Sequence, residues 1–580
     1  MARRKVKSSS LQKRGNGKKR DGNNNNNAAV VAVGIDLGTT NSCVAVWLES
    51  DGRAKVIKAR VDEETKSRTS PSTAGVSVMG TFSPKWRVSS VGHGAYREAD
   101  SISEVRTIRG AKHVIGRTYE ECAGARIPVN FSISKGTKFR RGESSVVVSP
   151  LGGGESVRGL SPEEISSALL VGLKTRAEIY LGKKVTHAVI GVPAYFNASQ
   201  RAATKAAAEM AGMEVLRLLS EPMAAATAYG LAVAGSKTVC VVDFGGGTFD
   251  VSVLSVDKGE FKALAIGGCN DLGGDNLDDA LARFCADDWG IDISEGEMEA
   301  LRHSCEAAKC QLSSQDVATI SLTARDGKSF HREITLGEFD SVVSPSIDRC
   351  VKIVKEVVLD AEKSIDEVVL VGGSTQLPLL RKRLQKEFPA IELCKSIRSD
   401  CTVAEGAAIR AAMMTGADEY RMKKVLMLDA LPFSVGLEDS EGNFEALIRR
   451  NSRLPVSSTR RFATCQDGQR GISVDVFEGE HRVAAENKWL GYHNFMIPRG
   501  SRYRAGERSM DVTFSVDANG ILSVRAVVPD DETILSEHGD DGGADGPSTV
   551  ALALYLVVLA VLYAVAKTLF PSTVNESLVN

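Results

Sequence analysis

The chain has almost no net charge. Its 72 Lys and Arg face 73 Asp and Glu, a formal −1, so no strong overall field draws it to nucleic acid or to acidic substrates. Its eleven cysteines form no CxxC pair and no Cys/His run with metal-ligand spacing. Cys305 and Cys310 fall five apart in a helical pattern, which suits joint ligation poorly. Free buried thiols in a reducing compartment are the plain reading. Nor does the apolar AAVVAVGIDL at 28–37 read as a secretory signal core, since it runs into a glycine turn without a cleavage-like site. A 580-residue chain that is 43% apolar and 25% charged reads as a globular protein of several domains.

The near-neutral balance hides two uneven ends. Residues 3–20 hold nine Lys/Arg and no acid, whereas 530–545 hold seven Asp/Glu and no Lys/Arg. The first stretch has no apolar periodicity, runs on into a row of asparagines and reads as disordered. Its RRKVK and KKR fit a solubilising tail, a nuclear address or a contact with an acidic surface.

What the chain does have is glycine in unusual places. VGIDLGTTNSCVAVWL (33–48), VVDFGGGTFDVSVL (241–254) and VVLVGGSTQLPLL (368–380) each interrupt apolar strand runs with glycine and Ser/Thr. Glycine weakens a strand interior, so such a turn marks a backbone that comes close to something. In the first two turns an aspartate, Asp36 or Asp243, ends the strand. Backbone N–H groups in a small-residue turn can point at one anion, and an adjacent carboxylate can hold Mg²⁺ through its waters. Two such hairpins, with the later GGST turn, predict a duplicated domain that closes on a phosphate tail from both sides.

From residue 30 to about 415 strand runs alternate with helical patterns, which predicts α/β layers. In LSPEEISSALLVGLKTRAEIYLGKK, Ser161 is placed as N-cap, Pro162 at N1 and Glu164 as the partner in a capping box. Ile165, Leu169, Leu173 and Ala177 then recur at helical spacing. Between 430 and 528 the pattern becomes short alternating runs with polar turns, an antiparallel β module with DANG as a hairpin turn. VALALYLVVLAVLYAVA at 550–566 has no charge. It spans about 25 Å as a helix, or about 31 Å if continued to Phe570 with Lys567 snorkelling. Coming so near the end, it reads as a transmembrane tail anchor. Asn575-Glu-Ser is a formal glycosylation sequon that lies close to the bilayer.

IDLGTTNSCVAVW, VIGVPAYFNASQR, EPMAAATAYGL, VVDFGGGTFDVSVL, LGGDNLDD and VLVGGSTQLP follow one another in the order seen in 70-kilodalton heat-shock chaperones. The chain resembles that family closely from about residue 30 to 530. The resemblance implies an actin-like, ribonuclease H-like duplicated ATPase domain at 30–420, an interdomain linker at 421–429 and a β-sandwich peptide-binding domain at 430–529. Around these lie the basic segment 1–29, an acidic Gly-rich linker at 530–549, the transmembrane helix 550–570 and a tail at 571–580. Actin and the sugar kinases would share only the first, second and last hairpins, and no sugar-kinase motif is present.

The resemblance also implies roles for single residues, with ATP or ADP and Mg²⁺ as cofactors. Asp36 and Asp243 would flank the hydrated magnesium. Gly38, Thr39, Thr40, Asn41, Gly245, Gly246 and Gly247 would clamp phosphates. Lys112 would position the attacking water and Glu221 would face it, with Thr248 and Asp250 lining the same pocket. Glu306, Lys309, Ser313, Gly372, Gly373, Ser374, Gln376 and Asp400 would hold the nucleoside. Cys310 and Gln376 stand where many members carry two arginines that sandwich the base. Each such contact is worth about 0.5–2 kcal/mol, so binding is expected to persist with faster exchange.

KVLMLD at 424–429 resembles the linker that docks on the ATPase domain, and Leu426, Leu428 and Asp429 are its implied coupling residues. Pro193 and Arg201 match relay positions, and Arg217 matches a basic position that receives J-domain partners. Leu437, Phe462, Ile472 and Val474 would line a pocket for one apolar side chain, centred on Ile472, with Ser440 and Cys465 arching over the peptide. Each of these apolar residues is equally of the kind that fills a β core. No helical lid pattern follows the β module.

The expectation is therefore a lid-less, membrane-anchored chaperone that hydrolyses ATP slowly to control an extended apolar peptide site. Its expected partners are unfolded clients, a J-domain co-chaperone and a nucleotide-exchange factor, without nucleic acid. The ATPase would face the cytosol, on endoplasmic reticulum rather than the mitochondrial outer membrane. The alternative is a non-cycling scaffold that keeps the fold.

Overall fold

The computed structural model describes residues 30–535, apart from 61–65, 80–84, 94, 96–104, 139–142, 152–156, 231–234, 392, 395–400, 417–424, 498–503 and 529–532. The basic N-terminal segment, Asp400, residues 421–424 of the linker and the apolar run at 550–566 lie outside the described residues. Among the described residues no helix is long and apolar enough to cross a membrane.

Two sheets repeat one plan. In the first, Ala32–Asp36 pairs in parallel with His187–Val192 and antiparallel with Asn41–Leu48. Lys237–Phe244 does the same in the second, with Glu367–Val371 in parallel and Phe249–Asp257 antiparallel. Parallel strands need a crossover that covers both faces, so these strands are apolar throughout. His187–Val192 is buried from Ala188 onward, as its uninterrupted apolar run predicts. The duplication expected from the two glycine hairpins is thus present at the level of strand pairing.

Helices cover the sheets. Pro162–Leu181 begins as its sequence predicts: Ser161 accepts the Glu164 N–H, and Glu164 reaches back to the Ser161 N–H. Ile165, Leu169, Leu173 and Ala177 are its buried stripe. Helix Thr402–Thr415 crosses beneath the first sheet and packs against helix Glu221–Gly230. The approach is so close that a side chain on Gly406 would collide with the Ala224 carbonyl.

The C-terminal module is a sandwich of two four-stranded antiparallel sheets. One contains Val435–Glu438 and Gly471–Glu478, the other Val456–Ala463 and Ser509–Val516. DANG forms the turn joining Ser509–Val516 to Leu522–Val528. All eleven cysteines are free and eight are buried; Cys310 and Cys465 are exposed.

The sandwich rests on the N-terminal two-sheet unit. Strand Leu426–Leu428 pairs in parallel with the edge strand Glu260–Cys269. The Leu218 N–H donates to Asn519 Oδ1 (2.9 Å), and Arg450 pairs with Asp360 at 2.6 Å.

Candidate functional site

A cavity of about 290 Å³ lies between the two lobes. Its walls include Asp36, Gly38, Thr39, Thr40 and Asn41 from the first hairpin, and Asp243, Gly245, Gly246 and Thr248 from the second. Lys112, Glu221, Glu306, Lys309, Ser313, Gly372, Gly373, Ser374 and the departing residue Cys310 line it too. Of the residues predicted for the site, Gly247, Asp250 and Gln376 do not line this cavity. Thr69 and Val403 line it but carried no signal in the sequence, while Asp275 and Val371 line it from within quoted motifs without having been singled out.

The glycines are there because the lobes meet on them. A side chain at Gly246 would collide with Thr40 Oγ1, and one at Gly247 would come within 2.6 Å of Thr39 Oγ1. Gly372 has φ +82°, a left-handed conformation that favours glycine, and its backbone is pressed against Asp243 and Phe244. Ser374 Oγ donates to the Gly245 carbonyl at 2.8 Å, tying the third turn to the second.

At the floor, Lys112 Nζ lies 2.8 Å from Glu221 Oε1, with both side chains 9% exposed. Asp36, Asp243 and Asp250 share this buried space. Burial, then the charge of Glu221, pushes the Asp36 carboxyl up to about 7 against the pull of Lys112. Asp250 is likewise pushed up to about 7, by burial and then by Glu221. Asp243 stands well above the ordinary carboxylate range through burial, then Glu221, Asp250 and Asp36. Burial works against the charge on Lys112, yet Glu221 and Asp36 outweigh it and hold the ammonium above its usual value. Asp250 Oδ1 accepts the Tyr195 N–H at 2.8 Å, while its Oδ2 is buried without a hydrogen bond. Four carboxylates against one lysine, with one oxygen left unpaired, leave an acidic surplus that suits a multivalent cation approaching with its waters.

On the opposite wall of the cavity Lys309 donates to Asp278 Oδ2 (2.6 Å) and to the Gly274 carbonyl (3.1 Å). Asp275 joins the lobes: its Oδ1 accepts from Thr40 Oγ1 and its Oδ2 meets His113 Nε2, each at 3.2 Å. Burial raises the Asp275 carboxyl, but His113, Lys309 and Arg109 outweigh it and bring it below the ordinary value. Cys310 is exposed, and Gln376 Oε1 accepts from Arg381 Nη2 at 3.2 Å. An arginine thus stands beside the position from which the family arginine is absent.

The Hsp70 protein family model matches residues 32–537. The chain belongs to the Hsp70 family. It is 37% identical over 512 residues to "Heat shock cognate 70 kDa protein 3" of Dictyostelium discoideum, covering 86% of this chain and 78% of the relative. It is 38% identical over 514 residues to "Heat shock cognate HSP70 protein" of Trypanosoma brucei brucei, covering 85% and 73%. It is 38% identical over 512 residues to "Chaperone protein DnaK" of Anaplasma marginale (strain St. Maries), covering 85% and 74%. As an Hsp70 the chain is an ATP-hydrolysing chaperone that uses ATP and ADP with Mg²⁺. Its family context is unfolded client peptides, J-domain partners and nucleotide-exchange partners.

The remaining predicted positions are arranged less simply. Arg201 is 1% exposed and donates to the carbonyls of Phe196, Ala194 and Asn519, the last across the domain seam. Pro193 is buried just before this run. In the linker the inward side chain is Met427, 5% exposed, whereas Leu426 is 45% exposed. Strand alternation is the reason: once Leu426–Leu428 pairs as a strand, alternate residues point to opposite faces, so Met427 faces inward while Leu426 is exposed and Leu428 half-buried. Asp429 is buried and accepts the Ser220 N–H at 3.4 Å. Arg217 is also buried, facing Asp429, Arg201 and Asp517, so in this arrangement it is covered rather than presented.

The residues implied for the peptide site lie in and around the sandwich core. Leu437, Ile472 and Val474 are 5–6% exposed and belong to the sandwich core, with Phe462 packed at its margin. Ser440 and Cys465 are exposed. The Cys465 N–H donates to Gln469 Oε1 at 2.7 Å, and Gln469 Nε2 donates to the Gly471 carbonyl, so Gln469 secures this loop.

Proposed function

We propose that this Hsp70 hydrolyses ATP slowly at the interlobe cavity and uses the linker to change how the sandwich holds extended apolar peptides, while a C-terminal anchor keeps it at a membrane. The observation that carries the hydrolytic reading is the Lys112–Glu221 pair, 2.8 Å apart and buried beside Asp36 and Asp243. Phosphoryl transfer depends on positioning and charge neutralisation more than on covalent chemistry. Glu221 would orient the attacking water and Lys112 would neutralise charge on the phosphate. The turns at Gly38–Asn41 and Gly245–Thr248 would supply N–H and hydroxyl donors.

Among the described residues no group of three His, Cys, Asp or Glu could hold a metal ion directly. Asp36 and Asp243 would therefore face a hydrated Mg²⁺, with Asp250 beside it. When bound, the ion supplies positive charge to the phosphate oxygens. Lys309, Glu306 and Ser313 would hold the nucleoside. Single-turnover ATP hydrolysis by the full chain, wild type against Thr248→Ala, tests this reading. Turnover should fall in the variant; turnover independent of Thr248 would favour the scaffold reading, which Cys310, Gln376 and the exposed Ser440 and Cys465 support.

The uncharged run 550–566 supports the anchor, and the acidic, Gly-rich stretch before it supports an open sandwich without a helical cover. Tethering would offset weak peptide grip by raising local concentration. A cytosolic ATPase on the endoplasmic reticulum fits a modestly apolar anchor followed by one lysine. Membrane fractionation with and without residues 547–580 tests the anchor: the intact chain should pellet with membranes and the truncated one should not.

A further inference from the structure

A second cavity, of about 260 Å³, opens on the seam between the ATPase unit and the sandwich. Tyr195 and Asn197 line one side; Phe433, Glu478 and Glu480 are among the residues lining the other. Glu478 ends strand Gly471–Glu478 and is 3% exposed. Its Oε2 accepts the N–H of Ala198, the first residue of helix Ala198–Met210, at 3.1 Å. That leaves Oε1 without a hydrogen-bond donor among the described residues.

Among the described residues no cation at the seam pairs directly with this carboxylate. Arg201, across the seam, is committed to three carbonyls. Lys488, on the adjoining strand, pairs with Glu121 at 2.6 Å. The other ionisable groups around it are Glu480, which accepts from the Ser434 N–H and hydroxyl, the His481–Glu486 pair at 3.5 Å, and Tyr195. The charges that act on Glu478, those of Arg201 and Lys488, favour its ionisation, but neither hydrogen-bonds to it, and a carboxylate that is 3% exposed and accepts a single N–H is costly to leave ionised.

We propose that docking of the sandwich on the ATPase unit is proton-linked through Glu478, the docked arrangement holding this side chain as the neutral acid. The inference rests on the reading that the linker and sandwich dock and undock during the cycle. Its sign follows from burial, which pushes the Glu478 carboxyl up to about 7 in the docked arrangement, against the pulls of the Ala198 N–H, Arg201 and Lys488. Undocking removes Tyr195, Asn197 and the end of helix Ala198–Met210, so the carboxyl relaxes towards its ordinary range. The docked form then binds the proton more tightly. Docking is favoured as pH falls below 7 and weakened as pH rises through 7, by at most about tenfold per pH unit.

The test is hydrogen exchange at Leu426–Leu428 and proteolysis of the linker in the full chain, with ATP and with ADP, from pH 5.5 to 8.5 after correction for intrinsic exchange. The wild type should become severalfold more protected from pH 8 to pH 6, and Glu478→Gln should be protected and pH-independent throughout. Ala198→Pro, tolerated at a helix N1 position, removes the N–H that favours the carboxylate and should move the transition to higher pH. A flat wild-type profile, or equal slopes in wild type and Glu478→Gln, overturns the proposal. A linker that is never released with either nucleotide overturns the coupling reading itself, and this proposal with it.

Discussion

In the cleft between the lobes, four carboxylates and one lysine share a buried space that no apolar side chain could occupy in their place. In the sandwich, by contrast, Leu437, Ile472 and Val474 are occupied with the core itself. The difference lies in what each site asks of its residues. A phosphate site needs particular charges at fixed positions, and those charges are costly to bury for any other reason. An apolar pocket asks only for apolar surface, which a β core also uses. The same side chains can therefore serve both ends, and which one they serve depends on a shift of the sandwich rather than on residue type.

The largest expected effect breaks the cleft. Lys112→Ala leaves Glu221 and Asp36 without their counter-charge and should lower single-turnover ATP hydrolysis about 10²–10³-fold, while a denaturation curve shows whether the fold survives. Next comes Ile472→Ala, which separates core from pocket. As a core residue Ile472 should cost the sandwich about 2–5 kcal/mol in urea unfolding; as a pocket residue alone it would lower peptide affinity and leave stability unchanged. Met427→Ser removes the one buried side chain of the linker strand. It should weaken docking by about 1.5–3 kcal/mol, read as faster linker proteolysis with ATP. Leu426→Ser, on the exposed face, should have a much smaller effect. The smallest change is Gln376→Arg, expected to slow nucleotide release about two- to thirtyfold, measured with a fluorescent nucleotide chased by excess ATP. An unchanged rate would indicate that Arg381 already supplies the missing cation.

What was legible in the sequence follows the same division. Asp36 and Asp243 stood out because an aspartate at a strand end before glycine has no simple structural use, and both line the cavity. The helix at Pro162 was legible because its capping box is local, needing only Ser161 and Glu164. Asp275 was not legible: it is one acid among several in GGDNLDD, and its partners Thr40 and His113 lie 235 and 162 residues away. The choice of Met427 over its leucine neighbours could not be read either, because every residue of VLML is apolar. Only the pairing with Glu260–Cys269 fixes which ones face inward. Glu478 was hidden for a similar reason, since its burial comes from a domain distant in sequence.

The parallel pairing of Leu426–Leu428 with Glu260–Cys269 also means that the linker closes the border of the second sheet. When it departs, the backbone donors and acceptors of residues 260–262 are opened to water, beside the apolar surface that Met427 had covered. The released form therefore presents a template for adding any extended chain, including a second copy's linker. Self-association should rise with the fraction undocked, so that each cycle leaves the protein briefly adhesive at a border remote from its peptide site.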